Sequence, residues 1–264
     1  NLTVMKYLFI IAILFLFGAC QQQNNVELID LHIHLKGDLT IEEAIKKSEN
    51  EGLKYGIAAN CGLGFPIQTD EQIAEYIKYM RQYPQFYIGM QAEGREWLHM
   101  FSPEAINLFD YVFTDAMTFT DAKGRRNRIW IKEETWIDDE QEFMDYLVAT
   151  TVKIINTEPI DIYVNPTFLP AQMEDRYNEF WTTERMMKVI EAAKSKNVAI
   201  EINNRFEIPS EKFIKLAKAE GVLFTIGTNN VDKNFPRPLY AEKMIKACEL
   251  SNKNFWKPEM KANN

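Results

Sequence analysis

Two histidines that share one face of a short strand are the residues of this sequence best suited to chemistry. They lie in the segment Asp30-Leu31-His32-Ile33-His34. Side chains two positions apart on a strand point to the same side of a sheet. Two imidazole nitrogens on one side form a natural chelate for Zn²⁺, Mn²⁺ or Fe. The alternative is a hydrogen-bonded pair without a metal. The third histidine, His99, follows apolar residues and is interpreted as structural.

The segments that position this pair alternate between strand-like and helix-like patterns after residue 25. Such alternation predicts a parallel sheet with helices outside it. Seven β-α units without a glycine-rich dinucleotide loop favour a closed α/β barrel, and capping boxes at Thr40 and Thr69 open the first two helices. The predicted strands are 26–34, 55–60, 85–93, 109–115, 160–165, 198–203 and 222–228. The predicted helices are 40–51, 69–81, a short one from 102, 139–156, 183–196, 210–220 and 239–250.

Two longer connections follow strands and should therefore lie over the carboxyl end of the barrel, where such folds keep their sites. Residues 118–138 are rich in arginine, tryptophan and charge, and residues 167–181 are rich in aromatic side chains. Their aromatic residues predict either a lid that stacks on a sugar or a base, or packing onto the barrel. The aromatic residues concerned are Trp130, Trp136, Phe168 and Trp181. Three arginines of the first connection are interpreted as solvated: Arg125, Arg126 and Arg128.

The first 25 residues carry the pattern of an export signal. A positive start at Met5-Lys6 precedes an apolar run over residues 7–17, which is too short to span a bilayer comfortably. Phe17-Gly18-Ala19-Cys20 resembles the lipobox of bacterial lipoproteins, which implies that Cys20 is lipidated. We expect an exported protein, anchored to a bacterial membrane, periplasmic or at the cell surface; the alternative is an ordinary signal peptide. The predicted organisation is a signal peptide (1–19), lipidated cysteine and tether (20–25), barrel (26–258) and tail (259–264).

Composition and charge fit one globular domain and narrow its partners. Of the 264 residues, 46% are hydrophobic and 26% are charged, which suffices for a sizeable core. The formal net charge of −8 argues against a general nucleic-acid binder, whose surface is normally basic. Three cysteines are too few for a disulfide framework. The expected partners are a small-molecule substrate or ligand and, through Cys20, a membrane.

Motifs throughout the barrel region resemble those of the polymerase and histidinol phosphatase (PHP) family. Residues 30–34, 39–44 and 51–53 are similar to the opening of that family. Residues 109–112, 160–166, 199–203 and 224–229 are similar to four of its later strands. The resemblance implies a distorted TIM-like (β/α)7 barrel of the PHP type. Members of the family usually bind two or three metals and hydrolyse phosphate esters.

The resemblance also implies a set of metal ligands, most of which this sequence lacks. His32 and His34 match the first ligand pair of the family, and Glu93 matches its bridging carboxylate. Other residues stand at the remaining ligand positions: Asn60, Cys61, Met117, Asn165, Asn229 and Val231. A full trinuclear centre cannot be built from this set.

Two residues are candidates to replace the lost ligands. Asp115 lies two positions before Met117 and therefore faces the same side of its strand. Cys61 offers either a thiolate ligand for Zn²⁺ or a small buried apolar thiol. We expect about one divalent ion per chain, two at most, with Zn, Mn or Fe as candidates. The expected metal ligands are His32, His34, Glu93 and Asp115.

Cations and amides at the same strand ends predict how a ligand would be held. Lys36 follows the histidine pair, Arg95 follows Glu93, and Arg205 follows the strand 198–203. Guanidinium groups suit carboxylates and phosphates, although each of these cations could equally be ion-paired. The expected substrate-binding residues are Lys36, Asn60, Arg95, Asn165, Glu201, Arg205 and Asn229.

These residues favour a metal-dependent hydrolase, phosphoesterase-like, that acts on a small anionic substrate. An ion held there would lower the pKa of a water and polarise the scissile bond, with Glu93 or Asp115 as general base. The lost ligands leave a second interpretation open: a catalytically inactive barrel that binds a sugar or phosphorylated compound at the cell surface. An amidohydrolase barrel also begins with His-x-His, but it ranks third because it normally requires further histidines after later strands.

Overall fold

The fold is built from nine strands and eight α-helices within residues 26–261, the part of the chain that the computed structural model describes. The predicted signal peptide, Cys20 and tether lie outside these residues. The strands are β1 (Ile29–Ile33), β2 (Lys54–Cys61), β3 (Tyr87–Ala92), β4 (Tyr111–Thr114), β5 (Thr118–Thr120), β6 (Arg126–Arg128), β7 (Ile162–Tyr163), β8 (Ala199–Asn203) and β9 (Phe224–Gly227). The helices are α1 (Ile41–Glu51), α2 (Asp70–Met80), α3 (Pro103–Ile106), α4 (Glu140–Thr157), α5 (Tyr177–Phe180), α6 (Thr183–Lys196), α7 (Glu211–Ala219) and α8 (Leu239–Ala247). None of these helices is long and apolar enough to cross a bilayer.

Seven of the strands close into a parallel barrel. Their order is β1-β2-β3-β4-β7-β8-β9, and β9 pairs with β1 through Ile226 and Asp30. The remaining strands, β5 and β6, form an antiparallel hairpin inside the first long connection. Because every barrel strand runs parallel to its neighbours, all the carboxyl ends meet at one mouth. The predicted distorted TIM-like (β/α)7 barrel is therefore confirmed.

Local capping places the helices where the sequence predicts them. The Thr40 side chain accepts from the backbone N of Glu43, and the Glu43 carboxylate accepts from the backbone N of Thr40. Thr69 and Gln72 make the same reciprocal pair at the start of α2. Both predicted capping boxes are confirmed. They satisfy backbone N–H groups that would otherwise be unpaired at a helix start.

An aromatic column fills the centre of the barrel and supports the site. Tyr111 occupies the space left by Gly56 and Gly89, where a Cβ atom would collide with its ring, and its hydroxyl donates to Leu31 O at 2.7 Å. Phe113 stacks on Tyr111 with ring centroids 5.9 Å apart. These rings belong to a buried apolar cluster inside the barrel, separate from the larger core between barrel and helices.

Strand β1 is irregular where the histidines turn inward. Leu31 belongs to the cluster inside the barrel, whereas Ile33 packs in the outer core. Strict alternation from Leu31 would point His32 outward. The register between β1 and β2 shifts between Asp30 and Ile33, as at a β-bulge. His32 therefore faces the interior, and its ring lies 4.6 Å from that of Phe113.

The first long connection is a charged surface hairpin. Its three arginines are all ion-paired rather than simply solvated: Arg125 with Asp121 and Asp138, Arg126 with Glu96, and Arg128 with Glu134. Trp130 and Trp136 are both exposed, and the Arg125 guanidinium lies 5.6 Å from the centre of the Trp136 ring. This hairpin thus presents aromatic surface beside the barrel.

The second long connection packs onto the barrel. Trp181 is 2% exposed, and together with Phe168 it borders a small cavity that also touches Asn165. Phe168 meets Phe206 edge-on, with ring centroids 4.8 Å apart. For Trp181 the structure therefore favours packing over a stacking lid.

The two ends of the described chain meet at the amino-terminal side of the barrel. Glu27 pairs with Lys54 and with Lys257. The backbone N of Lys261, in the predicted tail, donates to Asp110 at 2.8 Å. These contacts lie opposite the mouth, so they bear on stability rather than on the site.

Candidate functional site

His32 is held by a buried carboxylate from β8. Its Nδ1 lies 2.5 Å from Glu201 Oε1, and both side chains are 1% exposed. A carboxylate oxygen accepts in such a contact, so His32 Nδ1 is the donor and Nε2 is the ring nitrogen left for another partner. Nε2 is buried and has no hydrogen-bond partner among residues 26–261. Gly227 is required here, because a Cβ atom at that position would overlap the Glu201 carboxylate.

His34 has the same arrangement with a backbone carbonyl in place of the carboxylate. Its Nδ1 lies 2.8 Å from Ala58 O, so Nδ1 carries the proton. Its Nε2 is also buried and without a partner in the described chain. Asn230 fixes the backbone of His34, accepting from its N at 2.7 Å and donating to its O at 2.9 Å. Burial, reinforced by nearby positive charge, holds the pKa of His34 well below its usual range, so the ring stays neutral.

The two imidazoles therefore have the environment of metal-ligating histidines. Their centroids lie 5.1 Å apart. Metal-bound histidines almost always donate their other ring N–H to a carboxylate or a carbonyl, which fixes the tautomer. Within residues 26–261, however, no three His, Cys, Asp or Glu side chains are grouped so that they could hold a metal ion. The expected four-residue ligand set is thus not assembled, because its two carboxylates are bound to amide side chains.

The Glu93 carboxylate is hydrogen-bonded to Asn60, the side-chain amide near the end of β2. Asn60 Nδ2 donates to Glu93 Oε1 at 2.7 Å and to Gln91 Oε1 at 3.0 Å. Burial, followed by the charge of Asp115, raises the pKa of Glu93 to about 8, although Asn60, Lys36 and Arg95 act in the opposite direction. The Glu93 carboxyl is therefore poorly stabilised as an anion.

Asp115, which follows β4, belongs to a network of amides at the ends of β7, β8 and β9. Asn165 Nδ2 donates to Asp115 Oδ2 at 2.8 Å, and Asn165 Oδ1 accepts from Asn203 at 3.0 Å and from Asn229 at 3.1 Å. The backbone N of Asn165 donates to Glu201 Oε2 at 2.8 Å. Burial raises the pKa of Asp115. One asparagine thus joins the two buried carboxylates.

Two of the three predicted cations, Lys36 and Arg205, form no direct ion pair with a carboxylate among residues 26–261, although the charge of Glu93 acts on Lys36. Burial, and then the charge of Arg205, lower the pKa of Lys36. The Arg205 guanidinium lies 4.9 Å from the centre of the Phe206 ring, and burial lowers its pKa. Two neighbouring cations in a chain of net charge −8 are available for an anionic ligand.

Arg95 and Glu201 differ from the expectation that they contact a substrate. The Arg95 guanidinium donates to Glu158 Oε1 and to Thr114 Oγ1, both at 2.7 Å. Two of its nitrogens are therefore engaged within the fold, while its Nε is buried without a partner among residues 26–261. Glu201 lies behind His32, where its two oxygens accept from the ring and from amides. Both residues support the site from beneath.

Two further residues have clear outcomes. Cys61 is fully buried, its Sγ lies 3.6 Å from Ala59 O, and burial raises the pKa of its thiol. The apolar-thiol interpretation therefore fits better than a thiolate ligand. His99 is exposed on a 3-10 helix rather than packed in the core.

Sequence reasoning missed three polar residues that hold the site together. Asn203 donates to both Asn165 and Glu201, Asn230 holds the backbone of His34, and Gln91 accepts from Asn60. A signal existed for two of them. Asn203 lies two positions after Glu201, and Gln91 lies two positions before Glu93, so each shares a strand face with a residue already selected.

Comparison with known proteins gives a structural match alone. No family model matches the chain, and no curated protein matches it. Among solved structures, the chain is similar to a histidinol phosphate phosphatase from Lactococcus lactis subsp. lactis, determined with zinc, L-histidinol and phosphate. The TM-score is 0.61 at 14% identity, covering 88% of this chain and 95% of that chain.

Two weaker matches carry no argument. A chain of an archaeal ribonuclease P complex with mature tRNA has a TM-score of 0.42 at 15% identity, covering 84% of this chain and 88% of that chain. A citrate synthase, SbnG, has a TM-score of 0.41 at 12% identity, covering 77% and 87%. The comparisons therefore establish that this chain has the closed α/β barrel fold seen in the histidinol phosphate phosphatase.

Proposed function

We propose that the protein is a metal-dependent hydrolase, phosphoesterase-like, that acts on a small anionic substrate. The observation that carries this proposal is the pair of buried, unpartnered Nε2 atoms on His32 and His34. Leaving a buried acceptor unpaired costs about 1–3 kcal/mol, so two side by side indicate a missing partner. Each ring also has its Nδ1 committed to an acceptor, which turns both Nε2 lone pairs toward the mouth.

The residues present fit one divalent ion better than several. His32 and His34 would supply two nitrogen ligands, and Glu93 or Asp115 would supply the anionic one. Imidazole and carboxylate together suit Zn, Mn or Fe. When bound, such an ion polarises the scissile bond as a Lewis acid. The amides of Asn165 and Asn229 bring no negative charge to offset a second ion.

The remaining steps belong to the side chains of the chain itself. Lys36 and Arg205 would bind the anionic group of the substrate, because they lie close to each other and neither forms a direct ion pair among residues 26–261. Glu93 or Asp115 would serve as general base. General-base catalysis typically contributes about 10²–10⁴-fold. The zinc, histidinol and phosphate of the similar phosphatase are consistent with this class of chemistry.

The proposed setting is outside the cytoplasm. The lipobox-like segment ending at Cys20 supports an exported protein anchored to a bacterial membrane, periplasmic or at the cell surface. A net charge of −8 supports a small-molecule ligand over nucleic acid.

A second candidate function is a catalytically inactive barrel that binds a sugar or a phosphorylated compound. The observation that favours it is the missing three-ligand group among residues 26–261. In that case Lys36 and Arg205 would still bind an anion, but no metal would be needed. The two candidates therefore differ in whether chelation abolishes function.

The test is hydrolysis of a panel of small phosphate monoesters by the full chain in detergent, after loading with Zn²⁺, Mn²⁺ or Fe²⁺. We expect metal-dependent turnover that falls to background in a His32→Ala, His34→Ala double variant. The matched control is His99→Ala, which removes an exposed histidine outside the site. Phosphate binding without turnover, unchanged by a chelator, would favour the inactive barrel instead. Equal turnover in the double variant and in wild type would contradict the proposal.

A further inference from the structure

The Asn165 side chain makes three hydrogen bonds within the site, and no sequence pattern predicts them. It is 4% exposed, and both atoms of its amide group are engaged. Nδ2 donates to Asp115, while Oδ1 accepts from Asn203 and from Asn229. This side-chain amide thus connects residues at the ends of three different strands, β4, β8 and β9.

One of these partners, Asn203, is connected to His32 through the Glu201 carboxylate. Asn203 Nδ2 donates to Asn165 Oδ1 at 3.0 Å and to Glu201 Oε2 at 2.9 Å. The other oxygen of Glu201 accepts from His32 Nδ1. Asn165 therefore orients the Asn203 amide, the amide orients the carboxylate, and the carboxylate selects the protonated nitrogen of His32.

The backbone at this position restricts the residue type. Asn165 has φ 48° and Asn229 has φ 50°, both in the left-handed region that most side chains avoid. Asparagine tolerates this region far better than bulky or β-branched residues do. Asparagine thus combines a left-handed turn after the strand with an amide that both donates and accepts.

We propose that Asn165 is a positioning residue that fixes the tautomer of His32 and thereby keeps its Nε2 lone pair directed into the mouth. This deepens the proposed function, on which its link to metal binding rests, but the tautomer itself is a property of the metal-free protein. Outer partners of metal-binding histidines typically affect metal affinity by about 10–100-fold. The Asn165 side chain would act in this way through Asn203 and Glu201, in addition to its backbone N–H, which donates directly to Glu201 Oε2 and is kept in a glycine variant.

The test compares Asn165→Gly with a matched control, Asn197→Gly. Glycine keeps the left-handed backbone at both positions, since Asn197 has φ 56° at the end of α6, outside the site. Nitrogen NMR of isotope-labelled histidine in the chelated protein distinguishes the ring nitrogen that carries the proton from the one with the lone pair. A His32→Gln variant assigns the signal.

We expect a single His32 tautomer in wild type and in Asn197→Gly, and a mixture in Asn165→Gly. The dissociation constant for Co²⁺ should rise about 10–100-fold in Asn165→Gly alone. An unchanged His32 spectrum in Asn165→Gly would overturn the inference. If Asn165→Gly does not fold, Asn229→Gly takes its place, because it removes one of the two donors to Asn165 Oδ1. The same nitrogen spectrum of His32 is then recorded for that variant. Wild type that binds no Co²⁺ would overturn the proposed function, while the tautomer comparison would still decide this inference.

Discussion

The two sides of the barrel mouth differ in how their polar side chains are hydrogen-bonded. On the side formed by β1 to β3, the Nε2 atoms of two imidazoles have no partner among residues 26–261, and Glu93 is half-buried with a raised pKa. On the side formed by β4 and β7 to β9, amides saturate one another and both nearby carboxylates. The first side therefore has nitrogen atoms still able to bind a ligand. On the second side, nearly all of the amide and carboxylate groups just described are already hydrogen-bonded to one another.

This difference indicates how amide side chains can hold buried carboxylates at a barrel mouth without an ion. The side-chain N–H groups of an asparagine supply the partial positive charge that a buried carboxylate needs. Asp115 and Glu201 are thereby stabilised without an ion. A cation would have to compete with these hydrogen bonds on the amide side, but not at the histidine pair.

The largest expected effect comes from making the same substitution, glutamate to glutamine, on each side of the mouth. Glu201→Gln should lower the free energy of unfolding by about 1–3 kcal/mol, because the glutamine NH2 group would face donors and leave a buried donor unmatched. Glu93→Gln should cost less than about 1 kcal/mol, because the amide oxygen can still accept from Asn60 and the buried anion is poorly stabilised.

Urea unfolding of both variants in the presence of a chelator measures this difference. Equal losses for Glu201→Gln and Glu93→Gln would show that the two sides do not differ in coupling.

A smaller effect separates binding from stability at the rim of the mouth. Lys36 is half-buried beside Arg205, and burial lowers its pKa. Lys36→Met should therefore raise the free energy of unfolding by about 0.5–1 kcal/mol, as expected when a residue serves function at the expense of stability. The same change should weaken binding of inorganic phosphate about tenfold, equivalent to about 1.4 kcal/mol.

Calorimetric titration with phosphate and thermal unfolding give the two values. The control is Lys188→Met, which removes an exposed lysine that pairs with Glu184 outside the site. If Lys36→Met binds phosphate as wild type does, the assignment of this lysine to the ligand is wrong.

The smallest effect provides a baseline far from the mouth. Hydrogen bonding to Lys257 and then to Lys54 lowers the pKa of Glu27 from 4.5 to about 2. A lowered pKa contributes stability above pH 4.5 that is lost as the pH falls toward 2. Because Glu27 is largely exposed, its contribution should stay below about 1 kcal/mol.

The difference in melting temperature between wild type and Glu27→Gln should therefore shrink between pH 6 and pH 3. It should also shrink in 1 M salt, where the Debye length is about 3 Å. A difference that stays constant with pH would mean that the ion pairs of Glu27 do not stabilise the fold.

Much of the fold could be predicted because its signals are local. The alternation of strands and helices and the capping residues Thr40 and Thr69 depend on neighbours within a few positions. The histidines do face the interior, as predicted, but strict alternation along β1 is not the reason. Simple alternation would have turned one of Leu31 and His32 outward, and an irregular β1 turns both inward.

Contacts between distant residues could not be predicted in the same way. Arg95 pairs with Glu158, 63 positions along the chain, and nothing near either residue signals this contact. Likewise, the sequence identifies Glu201 as a polar residue at a strand end but not as the partner of His32, 169 positions away. Such pairs form only when the barrel closes, so they appear only in the structure.

The central claim is that the histidine pair forms the one metal site of this mouth. Elemental analysis of the full chain, purified without chelators, tests it most directly against the His32→Ala, His34→Ala double variant. We predict about one transition-metal ion per wild-type chain and none in the double variant, with both proteins folded, because the Nε2 atoms of His32 and His34 are buried side by side without a partner among residues 26–261. Two or more ions per wild-type chain, an unchanged content in the double variant, or no metal in wild type would each contradict it.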